Sequence, residues 1–186
     1  MENRLLIINI NENHGSHTVT WTENGFERSF VVYSFENGEN SLCGHKIWDI
    51  DSIFAHIREG IKVAYSVYPD ISGIKINTWN YDYVLMNNDL ELLPCYSYRD
   101  SRINELDEYE IGHTTYSGTL PQIIVDMRHG RLRTVTDILM MSEYFIYKLT
   151  GVKVSRYRKC GAGHDSLSLR PELRTEIGAG CRVLVG

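Results

Sequence analysis

Residues 72–102 read SGIKINTWNYDYVLMNNDLELLPCYSYRDSR, and the alternation in this stretch decides what kind of fold the chain can adopt. Ile74, Ile76 and Thr78 recur at every second position, and Tyr81, Tyr83 and Leu85 resume the same period. Asn87-Asn88-Asp89 are turn formers, so the order is strand, short break, strand, turn. Leu92-Leu93-Pro94 then leads into Tyr98-Arg99-Asp100-Ser101-Arg102, where two guanidiniums and a carboxylate crowd a span with no helical apolar face. Polar groups massed at the end of an apolar strand line a pocket. The same charges also suit a solvated loop with a local Arg-Asp pair.

Working outward, Leu5-Leu6-Ile7-Ile8-Asn9-Ile10 is a short apolar run that predicts a buried first strand. A polar loop over Asn11–His17 follows, then a β-rich run at Thr18–Trp21. Asn24-Gly25 predicts a hairpin turn, and Phe30–Phe35 a third strand. Ile50, Ile53, Phe54, Ile57, Ile61, Ala64 and Tyr68 fall on one helical stripe, capped by Asp49 or Asp51 and stopped by Pro69. That helix hands over to the strand near Gly73. The expectation is an α/β fold: a mixed sheet opened by antiparallel strands, with flanking helices.

Composition narrows the function classes. With 186 residues the chain is long enough for one real core, burying about 70% of its unfolded surface. Hydrophobic residues make up 42% and charged residues 23%, and the net charge of −5 argues against a nucleic-acid or anionic-membrane surface. No apolar run approaches the roughly 18 residues that span a bilayer, and the N-terminus carries no convincing signal peptide, so a cytoplasmic location is expected. Cys43, Cys95, Cys160 and Cys181 have no zinc-type spacing and read as reduced thiols or core residues. His45 and His56 stand alone and read as structural.

The runs IKINTWNYDYVLMN and LPCYSYRDSR resemble the sugar-binding segment of the rhamnulokinases, within the FGGY family of ATP-dependent carbohydrate kinases. Trp79, Asp82, Tyr98, Arg99, Asp100, Ser101 and Arg102 match that segment as they stand. Asn77 and Asn80 depart from it, because the family has Asp and Gly there. A second match, TDILMMSEYFIYKLTG at 136–151, resembles the family's DFLLMMPEYFSYKLTG, and its apolar positions suit a core-facing helix ended by Gly151.

The resemblance implies a ribonuclease-H-like, actin-like ATPase lobe over residues 1–155, shortened near 103–133, with a divergent tail at 156–186. It implies sugar contacts from Trp79, Asn80, Asp82, Arg99 and Asp100. It also implies a nucleotide loop at Asn9, Asn11, Glu12, Asn13, His14, Gly15 and Ser16, serving ATP with Mg²⁺. In such a kinase the γ-phosphoryl group passes in line to a ketose hydroxyl such as that of L-rhamnulose, and an Asp base takes the proton. That base is expected in a complementary C-terminal half, and Asp165 in His164-Asp165-Ser166 is a weak candidate for it.

This chain departs from the family where the chemistry lies. The family's first strand ends in an Asp and its loop is made of small residues, which let backbone amides reach phosphates. Here Asn9 replaces the Asp, only Gly15 keeps its type, and Glu12 brings a carboxylate toward the polyphosphate. At an effective dielectric of about 20, like charges about 4 Å apart repel by about 4 kcal/mol. Weak Mg-ATP binding is therefore expected, and no metal ligand set can be named. Read without the family, the loop is a polar hairpin. A degenerate, non-catalytic sugar-binding or interaction module stands beside the kinase reading. A ribonuclease-H-like nuclease would need the carboxylate that Asn9 removes.

Overall fold

The structure is a computed structural model and describes residues 4–107, 118–154, 166–177 and 182–185. Strands β1 (Arg4–Ile10), β2 (His14–Glu23), β3 (Phe26–Glu36), β4 (Asn40–Leu42) and β5 (His45–Trp48) lead to helix α1 (Ile50–Val67). Strands β6 (Ile71–Asn77), β7 (Tyr83–Asn87), β8 (Leu90–Glu91) and β9 (Cys95–Tyr96) follow, then a 3₁₀ turn at Ser101–Glu105. Helix α2 (Thr119–Arg128) and a second 3₁₀ turn (Arg131–Thr134) precede β10 (Asp137–Met140) and α3 (Met141–Thr150). The last described elements are β11 (Ser166–Ser168), α4 (Pro171–Ile177) and β12 (Arg182–Leu184).

Two compact units result, one of Met1–Asn37, Asp51–Thr78 and Ser142–Gly186, the other of Gly38–Ile50 and Trp79–Met141. The first unit is built on a six-stranded sheet in the order β11-β12-β6-β1-β2-β3. β1 runs antiparallel to β2 and parallel to β6, and β6 runs parallel to β12. A parallel neighbour needs a crossover, and α1 supplies the one from the opening meander to β6. This topology agrees with the ribonuclease-H-like lobe expected from the sequence.

The period-2 pattern is realised directly. Leu6, Ile8 and Ile10 are buried on β1, Val19 on β2, and Ile74 and Ile76 on β6. Ile53, Ile57, Ile61 and Ala64 form the buried stripe of α1. Burial of one such aliphatic side chain stabilises by about 1.5–3 kcal/mol. The β2–β3 turn is Asn24-Gly25, both with positive φ (51° and 81°), as a type I′ hairpin demands.

Three expectations change. The polar loop read at Asn11–His17 shrinks to Asn11–Asn13, because β2 already begins at His14 and pairs with β3 from His14↔Glu36 onward. The segment at 136–151 is not one helix: Asp137–Met140 pairs as a strand with β7, Ile138 opposite Leu85, and only then does α3 begin. Residues 182–184, read as part of a divergent tail, extend the sheet beside β6.

The second unit holds two three-stranded sheets, β10-β7-β8 and β4-β5-β9. Tyr83, Val84, Leu85 and Met86 of β7 are all buried, as a short continuous apolar run permits. Among the described residues, no helix is long and apolar enough to cross a membrane.

Candidate functional site

In the first unit, the expected nucleotide loop is a tight hairpin whose polar groups satisfy one another. Asn11 Oδ1 accepts the backbone N–H groups of Asn13 (2.9 Å) and His14 (2.8 Å), and the Asn11 N–H donates to the His14 carbonyl (2.9 Å). Asn37 holds the hairpin from the side: its Nδ2 donates to the Asn11 carbonyl (2.7 Å) and its N–H to the Asn13 carbonyl (3.0 Å). Asn9 is exposed, and its Oδ1 accepts from Asn77 Nδ2 at 2.8 Å. Gly15 is small for a packing reason, since a Cβ there would lie 2.1 Å from the Phe35 ring. Ser16 and Glu12 are partly buried, and His14 is exposed.

These residues do not fit Mg-ATP. Phosphate oxygens need amides that point outward unengaged, and here two of them already serve Asn11. The magnesium ion favours anionic oxygen, and Asn9 offers a neutral amide already in use. Among the described residues, no group of three or more His, Cys, Asp or Glu side chains is placed to hold a metal ion.

In the second unit, Asp82 is fully buried and carries four hydrogen bonds. Its Oδ2 accepts from Trp48 Nε1 (2.6 Å) and Trp79 Nε1 (2.8 Å), and its Oδ1 from the Tyr98 N–H (2.7 Å) and Gln122 Nε2 (3.1 Å). Burial pushes its carboxyl above the usual carboxylate range, and the four donors pull the other way. Every neighbour donates, so the ionised carboxylate is the form the cage suits. One side chain thus ties the segment around Trp79–Asp82 to the one around Ser97–Asp100.

Asp100 closes the second segment. Its Oδ2 accepts the Lys46 N–H (2.6 Å), and its Oδ1 accepts the Arg102 N–H (3.0 Å) and faces His45 Nδ1 (3.1 Å). Burial raises its pKa, but the two backbone amides and His45 outweigh that, and the net direction is downward. It also caps the 3₁₀ turn that follows. Below it, Asp126 accepts from Arg102 Nη1, from Arg131 Nη1 (2.7 Å) and from Tyr83 Oη (2.6 Å). Both guanidiniums lie against the Tyr96 ring, 3.9 and 4.6 Å from its centroid. Burial and the Asp126 carboxylate push the Tyr83 hydroxyl far above its ordinary range.

Of the residues expected to contact sugar, Trp79, Asp82 and Asp100 are buried, whereas Asn80 and Arg99 are exposed. Arg99 Nε lies 3.2 Å from Glu39 Oε1, a carboxylate that also meets Lys46 Nζ at 3.3 Å. Sequence reasoning missed Trp48, Gln122, Asp126 and Arg131, which complete the two buried networks. Trp48 and Gln122 lie 34 and 40 residues from Asp82, and Asp126 lies 24 from Arg102, so nothing local to the segment at 72–102 marks them. Asp165 and His164 lie outside the described residues.

No family model matches the chain. It is 29% identical over 172 residues to a rhamnulokinase of Oceanobacillus iheyensis, an alignment covering 82% of this chain and 36% of that protein. It is 29% identical over 137 residues to a rhamnulokinase of Mannheimia succiniciproducens, covering 65% and 28%. Among solved structures, a ligand-bound xylulose kinase from Lactobacillus acidophilus superposes with a TM-score of 0.76 at 12% identity, over 99% of this chain and 48% of that one. A xylulose kinase from Rhodospirillum rubrum gives 0.71 at 14% identity, over 99% and 49%. The chain is thus similar in sequence to rhamnulokinases, has the fold of carbohydrate kinases, and the matches span 28% to 49% of the length of these relatives.

Proposed function

We propose that this chain is the N-terminal domain of a rhamnulokinase-like carbohydrate kinase, and that it contributes recognition of a ketose such as L-rhamnulose. The observation that carries the reading is the Asp82 cage. Burying a carboxylate is costly, and its four hydrogen bonds fix two surface segments in one geometry. Asn80 and Arg99 stand on those segments and remain exposed. In this reading they meet the sugar, while Trp79, Asp82 and Asp100 position them. Asp82 has no lone pair left to offer a hydroxyl.

ATP-dependent phosphorylation in a complete enzyme would draw its base, and much of its nucleotide site, from a complementary C-terminal half. A second reading, a non-catalytic sugar-binding or interaction module, is favoured for this polypeptide by the Asn9–Asn77 bond and the occupied amides at Asn13 and His14. Saturation-transfer NMR with L-rhamnulose tests the sugar site. The expected result is a signal that Arg99→Ala weakens while the fold is kept. Absence of any signal from the parent chain would remove the sugar-site reading and leave the interaction module.

A further inference from the structure

The six-stranded sheet of the first unit has two unlike faces. On one, Leu6, Ile8, His17, Val19, Ile74 and Val183 are fully buried, and the bond between His17 Nε2 and the Ile57 carbonyl marks this as the α1 side. The other two described helices of the unit keep with α1: Lys148 of α3 lies 5.6 Å from the Phe54 ring centroid, and Glu176 of α4 pairs with Arg58 and Lys62. At the alternate positions, Leu5, Ile7, Thr18, Thr20, Lys75 and Leu184 stay part-exposed. Gly73 lies between Leu5 and Leu184, whose Cδ1 atoms are 3.2 and 3.5 Å from where its Cβ would stand. The two leucines thus make one apolar strip across β1, β6 and β12. A cavity of about 600 Å³ opens along it, with Thr20 and Arg182 in its lining.

We propose that this second face is the seat of an amphipathic helix from the complementary C-terminal half of the kinase, its aliphatic stripe on the Leu5–Leu184 strip and its carboxylates toward Lys75 and Arg182. The proposal rests on the reading that the chain is one domain of a longer kinase, and more than half of each relative lies outside the match. β1, β6 and β12 run parallel, and parallel strands are covered on both faces. With neighbouring strands about 4.8 Å apart, the strip is about 10 Å wide, the diameter of one helix. Toward β3 the Leu5 row turns polar, at Thr20 and Ser29, so a second sheet laid across the whole face would have to bury those hydroxyls. A second copy of this chain, related by a two-fold axis, would bring the Lys75 and Arg182 cations of both copies to one interface. A helix bearing carboxylates meets the same cations with opposite charge.

The test co-expresses the 186-residue chain with the C-terminal half of the Oceanobacillus iheyensis rhamnulokinase. Size-exclusion chromatography should show a 1:1 complex, and the methyl NMR signals of Leu5, Ile7 and Leu184 should shift on its formation. Lys75→Glu should weaken the complex about tenfold and Leu5→Glu about 30-fold. Lys75→Arg, which keeps the charge, and Val67→Glu, at the exposed end of α1, should bind as the parent does. An unchanged amide spectrum verifies the fold of each variant, and Lys75→Glu, a surface change, decides alone if Leu5→Glu does not fold. A complex indifferent to these changes would overturn the assignment of this face while leaving the two-part kinase reading intact. Self-association of the chain that Lys75→Glu alters would give the face to a second copy and overturn the proposal. Absence of any complex would overturn both the docking face and the complementary-half reading.

Discussion

Asn9 and Asn77 are register partners on adjacent parallel strands, and Asn77 Nδ2 donates to Asn9 Oδ1 across the ladder at 2.8 Å. The rhamnulokinase-like pattern has Asp at both positions. Two carboxylates side by side repel unless a cation lies between them, whereas two amides satisfy each other with no third party. The amide pair therefore needs no cation between its members and offers one no anionic oxygen. Titration with Mg-ATP should show no saturation in the low micromolar range. Asn9→Asp combined with Asn11→Gly should tighten binding about 10- to 100-fold, because it restores a charge and frees the amides of Asn13 and His14. Low micromolar affinity in the parent chain would show that this hairpin accepts phosphate as it stands.

Asp82→Asn tests the cage of the second unit. An amide presents one oxygen and one NH₂ group, so two of the four donors around Asp82 would face another donor. Stranding buried donors costs about 1–3 kcal/mol each, so the variant should lose about 3 kcal/mol in urea unfolding. Trp79→Phe removes a single donor and should cost about 1 kcal/mol. Equal losses in the two variants would mean that the carboxylate is not the centre of the network.

Much of the fold was legible because the sheet alternates cleanly: Leu6, Ile8, Ile74 and Ile76 mark its buried face, and Asn24-Gly25 marks its hairpin. The start of β2 was not legible, since His14-Gly15-Ser16-His17 looks polar. His17 becomes core only because Tyr33 and Phe35 of the neighbouring strand surround it. The RDSR segment marked Asp100 and Arg102, which the structure buries in two hydrogen-bonded networks. Which of its neighbours are buried and which exposed was not readable, because burial of Asp82 depends on Trp48 and Gln122, which lie 34 residues before it and 40 after it.

Gly60→Ala should destabilise the chain although alanine is the better helix former. In the middle of a helix the exchange is worth about 1 kcal/mol in favour of alanine. At this position a Cβ would lie 2.4 Å from Cδ2 and Nε2 of His17, a fully buried ring. The ring cannot swing away, as its Nε2–H donates to the Ile57 carbonyl (3.2 Å) and Tyr33 and Phe35 lie against it. Overpacking of this kind costs about 1–3 kcal/mol, and the propensity gain of about 1 kcal/mol reduces the net loss to at most about 2 kcal/mol by urea unfolding. A stabilised variant would show that α1 can lift from β2 at no cost.

The same His17 should make stability fall as the solution is acidified. Burial lowers its pKa from 6.5 to about 4; the bond to the Ile57 carbonyl opposes the shift and the nearby His56 adds to it. The folded state therefore holds the ring neutral, while the unfolded chain takes up a proton near pH 6.5. The unfolded state binds more protons between those values, so stability is fully present above pH 6.5 and is lost as pH falls toward 4. At about 1.4 kcal/mol per unit of pKa, the loss attributable to this group is about 3 kcal/mol. His17→Phe keeps a ring of similar size and removes the proton site. Between pH 7 and 4 the parent chain should lose about 3 kcal/mol more than this variant in chemical denaturation. Parallel stability profiles for the two proteins would mean that some other group governs the acid response.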